Sequence, residues 1–447
     1  MFFVDHRLEM SLSRRMVCAA RGLTMDHLPP EVIAKVKIGL LDFLSCAFEA
    51  RDLPWGCQAI RMASAATGQA TVIGTPVKTS PAEAAFANAT LGHGLVREDM
   101  HTGAVSHLGV VIFPTLLALA QRQRASGRDF ILGAVCGYEI GASVGRAIMD
   151  QEMVLRFRPT GITGPLAGAI AGSQLLALDE DATVSALGFA ANATGGLNEW
   201  PYCGGDEMFF HPGIAARNAV TAVELSSLGA RASESALDGR AGLFAGLNKR
   251  DRIAHIAPFS NGTFEILSVY YKPAPACNYA QTACQAALEV TMQDGFRSSD
   301  IESVVVKASA AAVGYPGCDY AGHFDRILQA KMSIQYCVAA TLGCGVIEES
   351  NYRVLQDPEV NRLVDVTKLE IDPTFTAAYP GAQGSEVIVK SRRGIARCRL
   401  DDVIPATPEQ IRARFRSACG TKAGAIEEMI DTLEQQEDVG ILGGLTA

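Results

Sequence analysis

The sequence predicts a mainly α protein: a large all-helical domain built from both chain ends, with a smaller α+β domain between them. Three observations predict it. Apolar residues recur at helical spacing through the first half of the chain. Aromatics make up only 7% of a chain that is 48% hydrophobic, so Ala and Gly carry much of the packing. The texture changes after about Glu265, where segments such as Ile301 to Ala308 read as strands. Small side chains let helix backbones approach one another, and periodicity separates the two regions.

Pro30 and Glu31 open the first clear helix, with Val32, Val36, Leu40, Phe43, Leu44 and Ala47 on one stripe. Proline suits a first helical turn, where its missing N–H would have no partner anyway. Pro81 starts another helix, and residues 110–125 and 130–149 give two more. Residues 164–178 read as a buried Ala/Gly helix, residues 179–194 as a helix capped by Asp179 or Asp181, and residues 214–228 as a further one. Strands are expected at 301–308 and 369–372, and a hairpin at 386–390 and 395–400 around Arg392-Arg393-Gly394. Helices at 278–292 and 331–346 interleave with them. From Thr407 helices return, at 408–418 and 422–433, and are expected to pack back onto the first domain. The expected division is 1–266 with 403–447 as the large domain, and 267–402 as the smaller one.

A net charge of −9 argues against nucleic acid as a partner, and an anionic substrate would need a locally basic pocket. Twelve cysteines are scattered singly without a CxxC pair, which reads as free thiols in a cytoplasmic protein. Residues 1–16 carry Asp5, His6, Arg7, Glu9, Arg14 and Arg15 and lack the apolar core of a signal peptide. The apolar stretch 166–178 is too short to span a bilayer, so no membrane partner is expected. No phosphate-binding glycine loop, HExxH or GxSxG occurs, so neither cofactor nor metal is expected.

Polar residues in unusual settings remain. His93, His101 and His107 fall within fifteen residues on a Gly-rich connection that also holds Arg97 and Asp99. Such a loop can present imidazoles into a cleft, or be a capped surface turn. Arg156 and Arg158 precede the Ala/Gly helix, where guanidinium groups and free N–H groups would suit a carboxylate; a solvated basic corner is the plainer reading. His211 stands just before an expected helix start. Lys272 lies in a Pro-stiffened apolar segment at the domain border, where burial would lower its pKa toward that of a general base; a boundary lysine reaching to water is the alternative.

In this order, these segments resemble the MmgE/PrpD family. The resemblance rests on His93-Gly-Leu through His107-Leu-Gly109, Gly137-Tyr138-Glu139-Ile140 with Arg146, and Phe157-Arg158-Pro159-Thr160-Gly161. It continues through His211-Pro-Gly-Ile-Ala215, Lys272-Pro-Ala-Pro-Ala-Cys277, Ala330-Lys331 to Ala339, and Tyr379-Pro380. It implies a helical domain with an α+β lid, an active site in the cleft between them, and a homodimer. It also implies cofactor-independent proton chemistry beside a carboxylate of a small di- or polycarboxylate. The family pattern has Asp, Thr, His, Lys and His where this chain has Val96, Met100, Arg158, Met208 and Gln281. Those departures favour an epimerase of iminodisuccinate or a similar N-substituted aspartate, which needs no leaving-group acid. The alternatives are a hydro-lyase or decarboxylase acting on a tricarboxylate, and an inactive binding homologue. On this resemblance Lys272 is the first base and His107, His101 or Tyr138 the second. Arg158 and His211 would hold carboxylates, with Arg97 and Asp99 as weaker binding candidates.

Overall fold

Residues 10–260 and 262–447 are described in the computed structural model; residues 1–9, including Asp5, His6, Arg7 and Glu9, lie outside it. The architecture is mainly helical with small sheets, in agreement with the fold class expected.

The first core is a stack of helices around Pro159–Leu175, nearly every residue of which is buried. Added Cβ atoms would lie 3.0 Å from Val111 at Gly164, 2.6 Å from Ala219 at Gly168 and 2.6 Å from Leu119 at Gly172. Glycines at this four-residue spacing therefore let helices Gly109–Arg122 and Glu207–Ser227 close onto one face. Helix Gly127–Ile148 packs on another face through Gly137 and Gly141, both against Ala167. By length and composition this helix could cross a membrane, but 94% of its most apolar stretch is buried among its neighbours, so here it is a core helix. Side-chain caps from Ser80, Ser126 and Asp179 start three of the helices.

The second core surrounds a four-stranded sheet in the order Thr367–Ile371, Ile301–Ala308, Ser385–Ser391, Gly394–Leu400. The first pair is parallel and the others antiparallel. Val304 and Val306 face Val389 and Val387 across the ladder, and all four are buried beneath helices Gln281–Thr291 and Ile334–Cys344. The expected hairpin forms with Arg392-Arg393 as its two-residue turn and Gly394 at φ +136°.

Several expected boundaries move: the helix expected at 331–346 is two helices, Ile327–Met332 and Ile334–Cys344, and the strand expected at 369–372 is Thr367–Ile371. The Ala/Gly helix begins at Pro159, five residues earlier than expected, with Arg158 as its N-cap residue. The helix expected from Ile214 begins at Glu207, so His211 and Pro212 lie inside it. Proline so near the start costs only one backbone hydrogen bond, and the helix runs through.

Residues of the first half such as Trp55, Leu95, Val96 and Met208 also reach into the second core, and the main chain passes over to it after Tyr271. Tyr271 packs in the first core and Ala274 in the second, so Lys272 stands at the crossing. The return passes Ala406, whose N–H donates to the Tyr271 carbonyl at 2.9 Å. Helix Pro408–Cys419 then packs on Pro30–Glu49. Its Arg414 donates to the carbonyls of Lys272 at 3.0 Å and Pro273 at 2.7 Å.

Candidate active site

A cavity of about 290 Å³ opens where the two cores meet. Its wall draws His107 and Val96 from the histidine loop, Arg158 from the N-cap and Met208 from the following long helix. Lys272, Cys277 and Tyr279 come from the crossing segment, and Tyr315 and Tyr379 from the α+β part.

Backbone pairing holds the two key segments together. Met100–His101 forms a short antiparallel ladder with Val269–Tyr270. Val96 sits at φ +60°, a left-handed conformation costly for a β-branched residue, and its carbonyl accepts from Lys272 Nζ. A second fully buried lysine, Lys331, donates to Leu95 O at 2.8 Å and Pro275 O at 3.2 Å and pairs with Glu349 at 2.5 Å. Gln281 organises the rest of the crossing segment. Its amide donates to the carbonyls of Ala274, Ala276 and Cys277 and its oxygen accepts from Ala274 N–H.

Behind the wall lies a relay of polar groups. His93 and His107 both direct Nδ1 at Glu98, the latter at 3.0 Å, and His107 Nδ1 also lies 2.8 Å from the Asp99 carbonyl. Those partners are acceptors, so Nδ1 of each ring carries the proton and Nε2 the lone pair. His93 Nε2 then accepts from Arg158 Nη2 at 3.0 Å, while His107 Nε2 remains as a base on a residue of the cavity wall. Burial alone would raise the Glu98 carboxyl, but His93, His107 and Lys272 outweigh it and hold it below the usual range. Burial lowers Lys272 below an ordinary lysine, with Glu98 partly opposing, and lowers His107 well below an ordinary histidine. Lys272 therefore gives up its proton more readily than an ordinary lysine, and His107 is held in its neutral form with Nε2 free to accept a proton. Burial also lowers Arg158, which stays cationic because a guanidinium does not lose its proton in this range. Its face stacks over Trp200 at 5.3 Å, and its Nε is buried without a partner among the described residues.

The sequence-predicted residues fall into two groups. Lys272, His107 and Arg158 line the cavity together. His211 lies behind Arg158, both beside Gly196; burial, Arg158 and His93 lower it to about 4, so it is neutral. Tyr138, Asp99, His101 and Arg97 do not line the cavity. Tyr138 donates to Asp99 at 2.7 Å, and Asp99 also accepts from Gly109 N–H at 3.2 Å. His101 accepts from Ala104 N–H at 3.0 Å and donates to Glu265 at 2.9 Å. Arg97 pairs with Glu49 at 2.8 Å. Sequence reasoning passed over Glu98, whose place in an Arg-Glu-Asp run reads as a solvated charge, and gave His93 no role. The five-residue spacing from His93 to Glu98 on a loop was the only local sign of that pair.

The MmgE/PrpD N-terminal domain pattern matches residues 14–255 and the C-terminal domain pattern residues 274–436. The chain belongs to the MmgE/PrpD family. A cis-aconitate decarboxylase of Aspergillus terreus is 30% identical over 233 residues, covering 50% of this chain and 47% of that protein. The cis-aconitate decarboxylase-like protein oryM of Aspergillus oryzae is 32% identical over 208 residues, covering 44% and 43%. The matched stretch spans about half the length of these MmgE/PrpD relatives.

Proposed function

We propose that this MmgE/PrpD chain is a lyase that forms a carbanion beside a carboxylate of a small tricarboxylate, by loss of carbon dioxide or by proton removal ahead of water loss. The observation that carries this reading is one cavity lined by a fixed cation, Arg158, and two proton-transfer groups, Lys272 and His107. The similarity to cis-aconitate decarboxylases favours decarboxylation over the epimerisation expected from the departing motif residues.

In this reading Arg158 holds one carboxylate through charge-assisted hydrogen bonds from its unpartnered Nε and its remaining guanidinium donors. The apolar wall of Val96, Met208 and Trp200 strips water from a neighbouring carboxylate, favouring its release as carbon dioxide. The electron pair left on carbon is delocalised toward the adjacent unsaturated or carboxylate group. Lys272, as its ammonium form, returns a proton to that carbon, and His107 Nε2 serves as the base that moves protons on the opposite side. Glu98 and His93 act through His107 by fixing its tautomer and orientation.

A second reading, epimerisation of an iminodisuccinate-like N-substituted aspartate, is favoured by Val96 and Met208. Both put apolar groups in the wall where the family pattern carries an acid and a lysine. Proton NMR in deuterium oxide with cis-aconitate, 2-methylcitrate and an N-substituted aspartate separates the readings. A lyase releases carbon dioxide or water and, in decarboxylation, places one deuteron in the product. An epimerase exchanges the α-proton with the carbon skeleton intact. Absence of both would leave a binding homologue and refute the proposal.

A further inference from the structure

We propose that Cys277, backed by Cys318, is a nucleophilic modification site in the cavity wall that takes small electrophiles carrying a carboxylate. The proposal does not rest on the lyase reading, because it concerns the reactivity of a thiol pair and the charge of the path to it.

The two sulfur atoms lie 3.7 Å apart although the residues are 41 positions apart in sequence. Both are buried, but only Cys277 lines the cavity; Cys318 lies behind it. The arrangement is asymmetric. The Cys277 sulfur lies within hydrogen-bonding distance of Cys318, with either thiol able to donate, and in the field of Lys272 and Arg158. The backbone of Cys277 is itself fixed, its N–H donating to the Lys331 carbonyl at 2.8 Å. The two cations favour a thiolate on Cys277, on the cavity side, with Cys318 as the donor to it. The Cys318 hydrogen bond is the largest influence drawing the Cys277 thiol below its ordinary value, and burial holds Cys318 up as the protonated partner.

The ligand class follows from the approach. An electrophile must enter through a cavity whose wall carries Arg158, Lys272 and one carboxylate, Asp402, with Tyr279 and Tyr315 as neutral neighbours; Arg158 and Lys272 are the charged groups that act on the Cys277 sulfur. Two cations against one carboxylate leave the wall net positive, and a net positive cleft concentrates anions. With a haloacetate, the Cys277 thiolate forms an S–C bond as the C–I bond breaks and iodide leaves with the bonding pair. No oxidant or reductant is consumed, and Cys318 keeps its proton.

The test uses the reduced full chain, equal concentrations of iodoacetate and iodoacetamide, and peptide mass mapping over time. Cys57, Cys203 and Cys344 are exposed and serve as internal references. At the references, neutral iodoacetamide should react faster, as with ordinary thiols. At Cys277, the iodoacetate-to-iodoacetamide rate ratio should exceed that of the references by about tenfold or more. Arg158→Ala should remove the preference, and Cys318→Ala should slow both reagents at Cys277 while leaving Cys203 unchanged. Should either variant fail to fold, the wild-type ratio alone decides. A Cys277 that resists both reagents while the references are alkylated, or that shows the reference ratio, overturns the proposal.

Discussion

The loop from His93 to His107 has two sides, and they use the same residue types differently. Toward the cavity it turns His107, with His93 and Glu98 immediately behind. Toward the helical core it turns Arg97, Asp99 and His101, each closed off by a partner: Glu49, Tyr138 and Glu265. On the core side each charged group is paired and faces packed interior rather than the cavity, and although Arg97 Nε also lacks a partner among the described residues, no open space adjoins it for a substrate. On the cavity side the relay ends in an unengaged imidazole nitrogen, a buried lysine and a guanidinium with a spare donor. Burial is common to both sides, so burial alone does not mark a reacting group. What distinguishes the cavity side is hydrogen-bonding capacity left over next to open space.

The sharpest way to break this contrast is to remove one group from each side. Lys272→Met and His107→Asn should each lower turnover by about 10²–10⁴-fold, the usual weight of a proton-transfer group, with circular dichroism unchanged. Tyr138→Phe, on the core side, should leave turnover within a few-fold and lower stability by about 1–2 kcal/mol, because Asp99 loses a buried donor. Equal loss of turnover in both sets would erase the distinction.

Arg158→Ala should reduce kcat/KM by an amount worth about 1.5–3 kcal/mol, seen chiefly in KM, since its charge-assisted bonds hold substrate in ground and transition states alike. An unchanged KM would return Arg158 to a structural place over Trp200.

A smaller effect lies deeper on the core side. Asp42 is 1% exposed, neither carboxylate oxygen has a hydrogen-bond partner among the described residues, and burial pushes its carboxyl from 3.8 up to about 7. The folded state therefore holds this proton more tightly than the unfolded state. The associated stability is full below about pH 4 and is lost as pH rises through about 7. Asp42→Asn keeps the site neutral, so its melting temperature should fall less than that of wild type between pH 5 and pH 8. The expected gain at pH 8 is on the order of 1–3 kcal/mol. The smallest expected effect is that of dialysis against EDTA, which should leave turnover unchanged because the proposed chemistry runs on side chains alone.

Much of this was legible in the sequence, and the gaps have physical causes. Helix spacing and the change of texture after Glu265 reflect local periodicity, which survives without knowledge of partners. Lys272 and the histidine loop stood out because rigid apolar context and clustered imidazoles are local features too. The division of the loop into two sides was not legible. Arg97 and Asp99 flank Glu98 directly, and only the fold shows that neighbouring residues face opposite ways. His211 was displaced because His-Pro-Gly reads as a helix entry, whereas the helix begins four residues before it, at Glu207. The Cys277–Cys318 contact joins residues 41 apart, beyond any periodic signal.

The central claim is that Lys272 and His107 move protons at one substrate carbon in this cavity. The direct measurement is deuterium incorporation from deuterium oxide during turnover of cis-aconitate, followed by NMR for wild type, Lys272→Met, His107→Asn and Tyr138→Phe. The account predicts one deuteron per product molecule for wild type and for Tyr138→Phe, and product formation at least about a hundredfold slower in the other two. Deuterated product formed at the wild-type rate by Lys272→Met and His107→Asn would contradict it.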